Sequence, residues 1–130
     1  MRYLLCLAGG ILLGAILAMT AANALQRRNA WPRAIMTVMQ HELGRAREAA
    51  RTPRCADADA RSALAHLALL AEDPERALLA PGAKDRVFAQ YAADLREAIA
   101  GAQAAPDCAS RAAALTEVAN ACDACHRDYR

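Results

Sequence analysis

The sequence predicts an all-α protein: an antiparallel up-down-up-down four-helix bundle preceded by an apolar N-terminal export segment. Of its 130 residues, 36 are alanine, the strongest helix former, whereas valine, isoleucine and threonine together number only 11. Prolines separate stretches in which apolar residues recur with the three-four spacing of a helix. Charges of both signs are interspersed and the formal net charge is +2, so no nucleic-acid-binding surface is expected.

The N-terminal segment is expected to direct export. Residues 3–26 carry no charge, and Ala22-Asn23-Ala24 has the small residues of a signal-peptidase site. We predict that residues 1–24 are a signal peptide cleaved at this site. The alternative is a retained N-terminal membrane anchor, because the uncharged stretch is long enough to span a bilayer. Residues 25–130 then form a single domain.

Four amphipathic helices are predicted in that domain, from about residue 31 to 51, from 57 to 71, from 85 to 104 and from 106 to the C-terminus. The apolar run over residues 77–82 is expected to be a connection that ends in a turn. Because the links are short, consecutive helices should be antiparallel, and the start of the first helix should lie beside the end of the fourth.

The apolar spacing also predicts the buried face of each helix. Pro32 is tolerated in the first turn of the first helix, and Asp107 is expected to cap the fourth. The predicted buried positions are Trp31, Ile35, Val38, Met39, Glu42, Leu43 and Ala46; Ala60, Leu64, Leu67 and Ala71; Phe88, Tyr91, Ala92, Leu95, Ile99 and Ala102; and Leu115, Val118, Cys122, Cys125 and Tyr129.

The last predicted helix carries a Cys-x-x-Cys-His motif. Its residues are Cys122, Cys125 and His126, and the motif predicts covalent attachment of one c-type haem. The two thiols would form thioethers with the porphyrin vinyl groups, and the imidazole would bind the iron as proximal ligand. The alternatives, a zinc site or a redox dithiol, are less well supported. No second Cys/His pair has zinc-binding spacing, and no βαβ pattern surrounds the cysteines.

The distal side of the iron is expected to be formed by the first helix, over residues 33–40. Met36 is the candidate distal iron ligand, and Met39, one turn further, is expected to line the pocket. A methionine on a helix face also commonly fills a core, so ligation by Met36 stays open. His41 lies about 140° around the helix from Met36 and is expected at the surface.

Cys55 and Cys108 are predicted to form a disulfide. Each precedes a helix, and in an up-down-up-down bundle the second and fourth helices start at the same end, which is the end opposite the haem. An exported domain lies in an oxidising compartment, where such a pair is normally oxidised. Two free thiols are the alternative. Cys6, inside the apolar segment, is interpreted as a small apolar residue.

The C-terminal residues 112–130 resemble the last helix of class II c-type cytochromes, the cytochrome c prime family and its low-spin, Met-ligated relatives. In that family the haem motif is C-terminal and is followed by an aromatic residue and an arginine, as in Tyr129-Arg130. The run from Met36 to Arg45 is similar to the first helix of the family, and residues 79–82 are similar to its turn between the second and third helices.

The resemblance implies one covalently attached haem c and a location in the periplasm of a Gram-negative bacterium, soluble or anchored to the inner membrane through residues 3–26. It places Cys122, Cys125 and His126 at the attachment and proximal positions. It also places Met36 at the distal position and Arg130 beside the cofactor. A homodimer through the first two helices is a further implication.

The sequence therefore leaves two alternative functions. The first is a one-electron carrier with His/Met-ligated iron that exchanges electrons with redox partner proteins. The second is a five-coordinate, cytochrome c prime-like protein that binds small gases such as NO and CO. They differ in one bond, from Met36 to the iron. A helical adaptor that binds zinc through its C-terminal cysteines is a third, weaker interpretation. No enzymatic activity is expected, because no paired acid and base and no activated nucleophile are recognisable.

Overall fold

The computed structural model of the chain describes residues 2–53 and 55–129, and it describes the side chains of residues 3, 6–26, 30–53 and 55–129. Over these residues the secondary structure is helical without strands. The helices are α1 (Arg2–Ala50), α2 (Ala58–Leu70), α3 (Pro74–Leu78), α4 (Arg86–Ala104) and α5 (Cys108–Asp128). The chain divides into two compact units, Met1–Arg33 and Ala34–Arg130.

The first unit is an apolar helical segment. Within the described part of the chain, Cys6–Gln26 is the one stretch long and apolar enough to cross a membrane, and it is exposed along its length. Leucine and alanine are strong helix formers and explain its conformation. The predicted apolar N-terminal segment is thus present as a helix. Its role as a cleaved signal peptide or as an anchor stays a prediction.

The predicted start of the first bundle helix near residue 31 is wrong. Helix α1 is already helical from Arg2, and Pro32 lies inside it. The reason is local: the sequence before Pro32 includes the good helix formers Gln26, Arg27, Arg28 and Ala30, so the proline does not coincide with a helix start. Trp31 and Val38 were expected to be buried but are 60% and 44% exposed. The buried residues of this part of α1 include Ile35, Met39, Leu43, Ala46 and Ala50, which form one apolar face of the helix. Val38 lies at the edge of that face.

The second unit is the four-helix bundle, formed by residues 34–50 of α1 with α2, α4 and α5. One contiguous core joins these helices, and many of its members are alanines, which allow the helix backbones to approach closely. The most deeply buried large side chains are Leu67, Phe88, Ile99, Leu115 and Val118. All of these lie on predicted apolar stripes, so the stripes of α2, α4 and α5 are largely confirmed.

Hydrogen bonds between helices show their antiparallel order. The Gln103 amide donates to the Leu64 carbonyl (3.4 Å) and the Arg96 guanidinium donates to the Ala71 carbonyl (3.5 Å), so α4 and α2 run in opposite directions. Arg111 near the start of α5 donates to the Ala102 carbonyl near the end of α4 (3.2 Å). The structure therefore confirms the predicted bundle.

Aspartate N-caps fix the first residues of α4 and α5. Asp85 Oδ1 accepts from the backbone N–H groups of Val87 (3.0 Å) and Phe88 (3.1 Å) at the start of α4. Asp107 Oδ1 accepts from the backbone N–H of Ser110 (2.8 Å) at the start of α5, as predicted. Between α2 and α4 the expected connection is partly wrong. The short helix α3 forms there, because Pro74 supplies a favourable first helical residue.

One end of the bundle is tied covalently. Cys55 and Cys108 are joined by a disulfide with their Cα atoms 5.5 Å apart, which is the pairing predicted from the topology. The Arg111 guanidinium lies beside it and donates to the backbone carbonyls of Cys55 and Ala105, the latter at 2.8 Å. This arrangement joins the start of α5 to the segment before α2 and to the end of α4. The Cys-x-x-Cys-His motif lies near the opposite end of α5.

Candidate functional site

A pocket of about 390 Å³ lies inside the bundle, and every helix of the second unit contributes to it. The side of α5 that faces it presents Cys122, Cys125 and His126. Their three-four spacing puts them on the same side of the helix, as the motif predicts. All three are partly buried. The pocket has the size and the largely apolar lining of a cofactor site.

The two motif cysteines are not joined to each other; both are free thiols. Burial raises the pKa of the Cys122 thiol above its ordinary value, and the neighbouring carboxylate of Asp123 adds to this, while Arg47 opposes it. Burial likewise raises the pKa of Cys125, with a further contribution from Asp128. In both groups the raised pKa favours the neutral thiol over the thiolate.

Helix α1 contributes a second wall to the same pocket. It consists of Met36, Met39, Gln40, Leu43 and Arg47, which share one face of the helix through intervals of three and four residues. Both predicted methionines are in this wall, in the same pocket as the imidazole of His126. Met39 is 5% exposed and belongs to the core, whereas Met36 is only partly buried. The expected distal wall over residues 33–40 extends further along α1 than predicted.

Helix α4 supplies a third wall that sequence reasoning had not assigned to the site. Phe88, Tyr91, Ala92 and Leu95 line the pocket. Leu67 of α2 and Pro74 of α3 do so as well. The helical spacing of apolar residues predicts that these α4 side chains are buried, and it is the one sequence signal that points to them. Nothing local distinguishes a buried side chain that lines a pocket from one that fills a core.

Two tyrosines connect α4 to the end of α5. The Tyr129 hydroxyl donates to Asp85 Oδ2 (2.7 Å), and the Tyr91 hydroxyl donates to Asp128 Oδ2 (2.6 Å). The Tyr129 ring also meets the Phe88 ring edge to face, with the ring centroids 5.0 Å apart. We call the two hydrogen bonds the tyrosine–aspartate clasp.

The clasp perturbs the groups that form it. The hydrogen bond to Asp85 raises the pKa of Tyr129 to about 12. The same hydrogen bond is the largest cause that lowers the pKa of Asp85, and the backbone N–H of Phe88 adds to it. The hydrogen bond to Asp128 likewise raises the pKa of Tyr91. In each pair the neutral phenol and the carboxylate are the favoured partners.

Two other residues considered above are Arg130 and His41, and His66 is the remaining histidine of the chain. Arg130 is outside the residues that the structure describes. His41 is exposed, as expected, and His66 lies with its Nδ1 3.7 Å from an oxygen of the buried Glu42. Neither histidine lines the pocket.

The donor set of the pocket fits the predicted haem. Two thiols and an imidazole of α5, two thioethers of α1 and largely apolar side chains line the same pocket. The zinc interpretation is less well supported. Over the described residues, no group of three or more His, Cys, Asp and Glu side chains is arranged to hold a metal ion, and zinc sites use at least three protein ligands.

Comparison with solved structures identifies a similar protein, cytochrome c′ from Rubrivivax gelatinosus. The two chains superpose with a TM-score of 0.65 and 24% sequence identity, over 79% of this chain and 94% of that chain. No protein-family model matches the sequence, and no curated protein gives a significant match. At this level of identity the likeness concerns the fold, and it shows that the bundle is that of cytochrome c′.

Proposed function

We propose that the protein is an exported c-type cytochrome that carries one covalently attached haem and transfers single electrons between partner proteins. The observation that carries this proposal is the pocket, which the Cys-x-x-Cys-His motif lines together with Met36, Met39 and largely apolar side chains. The likeness to cytochrome c′ supports the part of the proposal that concerns a haem c-type cytochrome, and it favours neither electron transfer nor gas binding.

Each residue has a defined part in this proposal. Cys122 and Cys125 would hold the porphyrin through thioether bonds, and His126 would bind the iron from the same helix. Met36 is the candidate sixth ligand, and Met39 packs beside it. With haem bound, the iron supplies a one-electron redox couple. The apolar walls exclude water, and thioether ligation favours the ferrous state, which suits an electron carrier.

Binding of small gases such as NO or CO is the second candidate function. One observation favours it: Met36 is only partly buried, so packing does not hold its side chain as firmly as it holds Met39. If Met36 did not bind the iron, His126 would be its one protein ligand, and a small gas molecule could bind to the iron. The two functions thus differ in the behaviour of one side chain.

The test uses protein matured with haem in the periplasm of a host cell. Intact mass and the pyridine haemochrome spectrum establish covalent attachment of one haem. The absorption spectrum is then recorded in the ferric and ferrous states, with and without CO. Sharp low-spin ferrous bands that CO does not change are expected for the carrier. A high-spin spectrum that shifts with CO would instead support the gas-binding function.

Two variants assign the ligand. Met36→Leu removes the sulfur while keeping an apolar side chain of similar size, and it should turn a low-spin spectrum into a CO-responsive one. Met39→Leu is the matched control, because it removes a sulfur from the same helix face one turn away. If Met39→Leu opens the site and Met36→Leu does not, the assignment of the sixth ligand is wrong.

The apolar N-terminal helix supports export, after cleavage near Ala24 or with the segment retained as an inner-membrane anchor. The mass of the mature holoprotein distinguishes these two forms, because cleavage removes residues 1–24. Fractionation into periplasm and membrane gives an independent readout. Recovery of haem-free protein in the cytoplasm would contradict the proposed location and function together.

A further inference from the structure

The last turn of α5 carries a residue that the proposed function requires to be held still. His126 lies two residues before Asp128, where α5 ends. The final turn of a helix lacks partners for its last carbonyl groups and normally frays. In this helix the backbone N–H of Tyr129 donates to the Cys125 carbonyl (3.0 Å), which closes the last turn once. This hydrogen bond closes the turn within α5 but does not join its end to another helix.

The tyrosine–aspartate clasp supplies the missing restraint. Tyr129, just after the end of α5, donates to Asp85, and Asp128, the last residue of α5, accepts from Tyr91. Each hydrogen bond thus joins the end of α5 to the start of α4. In the first bond the donor, Tyr129, lies at the end of α5; in the second the donor, Tyr91, lies on α4. Two crossed restraints of this kind oppose both unwinding and rotation of the turn.

The α4 side of the clasp is itself rigid. Asp85 is the N-cap of α4, and its other oxygen accepts two backbone N–H groups. Phe88, one turn into α4, is 1% exposed, and it packs against the Tyr129 ring and lines the pocket. The carboxylate that receives the Tyr129 hydroxyl is therefore fixed by the helix that forms the pocket wall. Because Asp85 is fixed on α4, its hydrogen bond holds Tyr129, and with it the end of α5, in one position relative to α4.

We propose that the clasp positions His126: Tyr129 and Asp85 hold the last turn of α5 so that the imidazole presents one orientation to the iron. These are positioning residues, since neither is assigned as a ligand. The inference rests on the proposed function, and it adds residues that the haem motif does not contain. It also explains why the chain places its ligand so near a helix end.

The test compares three holoprotein variants. Tyr129→Phe removes one hydroxyl and keeps the ring that packs on Phe88. Asp85→Asn keeps a good N-cap but weakens the acceptor. Thr116→Ala is the matched control, because it removes a hydroxyl that donates to the Ala112 carbonyl (3.2 Å) on the same helix, away from the pocket. Covalent haem content is measured in every sample by the pyridine haemochrome spectrum.

Two readouts are required. Hydrogen exchange of the Tyr129 amide should become roughly tenfold faster in Tyr129→Phe and in Asp85→Asn, as expected for loss of a hydrogen bond to a charged group. Electron paramagnetic resonance of the ferric iron, which responds to ligand orientation, should show a broadened or second signal in the same two variants. Thr116→Ala should match the wild type in both. The double variant should be no worse than either single variant, because the two residues act through one bond.

The outcomes separate the two levels of the argument. If the variants lose thermal stability but their ferric spectra equal that of the wild type, the clasp has a structural role alone and the inference is overturned. Additive effects of the two substitutions would also overturn it. If the wild-type protein attaches no haem, the proposed function fails, and the positioning role fails with it. That outcome is recognised from the haemochrome spectrum before any variant is compared.

Discussion

Removing the disulfide between Cys55 and Cys108 should destabilise the bundle strongly and leave the pocket unchanged. The cysteines are separated by 53 positions in the sequence. In the chain-entropy model, closing a loop of that length stabilises the folded state by about 4 kcal/mol. For a domain of this size, each 1 kcal/mol corresponds to roughly 4–8 °C in Tm, so the double variant Cys55→Ala/Cys108→Ala should melt roughly 15–30 °C lower.

The assay is urea unfolding of the holoprotein, followed by far-ultraviolet circular dichroism. The double variant and the wild type in excess reductant should give the same free energy of unfolding, since both lack the cross-link. Thr116→Ala is the control, because it changes an exposed side chain of α5 that belongs neither to the disulfide nor to the pocket lining. The visible spectrum should stay that of the wild type, because the disulfide lies at the opposite end of α5 from the motif.

The reasoning would be refuted by a loss of less than about 1 kcal/mol, which is far below the loop-entropy value. It would also be refuted if the reduced wild type stayed as stable as the oxidised protein. A changed visible spectrum in the double variant would show that the two ends of the bundle are coupled, contrary to the separation seen in the structure.

Three further predictions concern stability. Leu115→Ala, at a fully buried core position, should lower the free energy of unfolding by about 2–5 kcal/mol in urea titration. A change near zero would contradict this and would show that neighbouring side chains fill the cavity. Arg111→Met should lower the free energy of unfolding by about 2 kcal/mol in the same titration, since three carbonyl groups lose a charged donor. Arg111→Lys should be destabilised as well, because lysine lacks the planar guanidinium that reaches all three carbonyls. The pKa values of Asp85 and Asp107 are lowered below the ordinary 3.8, so the stability they confer is present above that pH and is lost as the pH falls through their lowered values. Unfolding free energy should therefore decline in acid below about pH 4, and the decline should be shallower in Asp85→Asn; equal slopes would contradict it.

Much of the fold could be predicted because it follows from local patterns. The apolar spacing of α2, α4 and α5 identified their buried faces, and Asp107 was recognised as a cap from its position before a helical pattern. The pairing of Cys55 with Cys108 followed from the order of antiparallel helices. Prediction failed where two local signals disagreed. Pro32 suggested a helix start, whereas the residues before it continue the helix.

The candidate site was predictable only in part. The motif residues could be named from the sequence because their chemistry and spacing are distinctive. The two methionines were named from the antiparallel order of the helices and from the family resemblance, and both line the pocket. It did not identify Phe88 and Tyr91 as pocket residues, since an apolar or aromatic residue on a helix face has the same pattern in a pocket and in a core.

By itself the sequence determined α2, α4 and α5 and the Cys-x-x-Cys-His motif, which depend on residue type and on spacing along one chain. The order of these helices then gave the pairing of Cys55 with Cys108. The tertiary structure decided which side chains enclose the pocket. It also decided which tyrosine meets which aspartate, across 37 positions for Tyr91 and Asp128 and 44 for Tyr129 and Asp85. The physical reason is that such contacts depend on how far one packed helix is shifted and rotated against its neighbour. That register is set by the whole core together, and no local stretch of sequence encodes it.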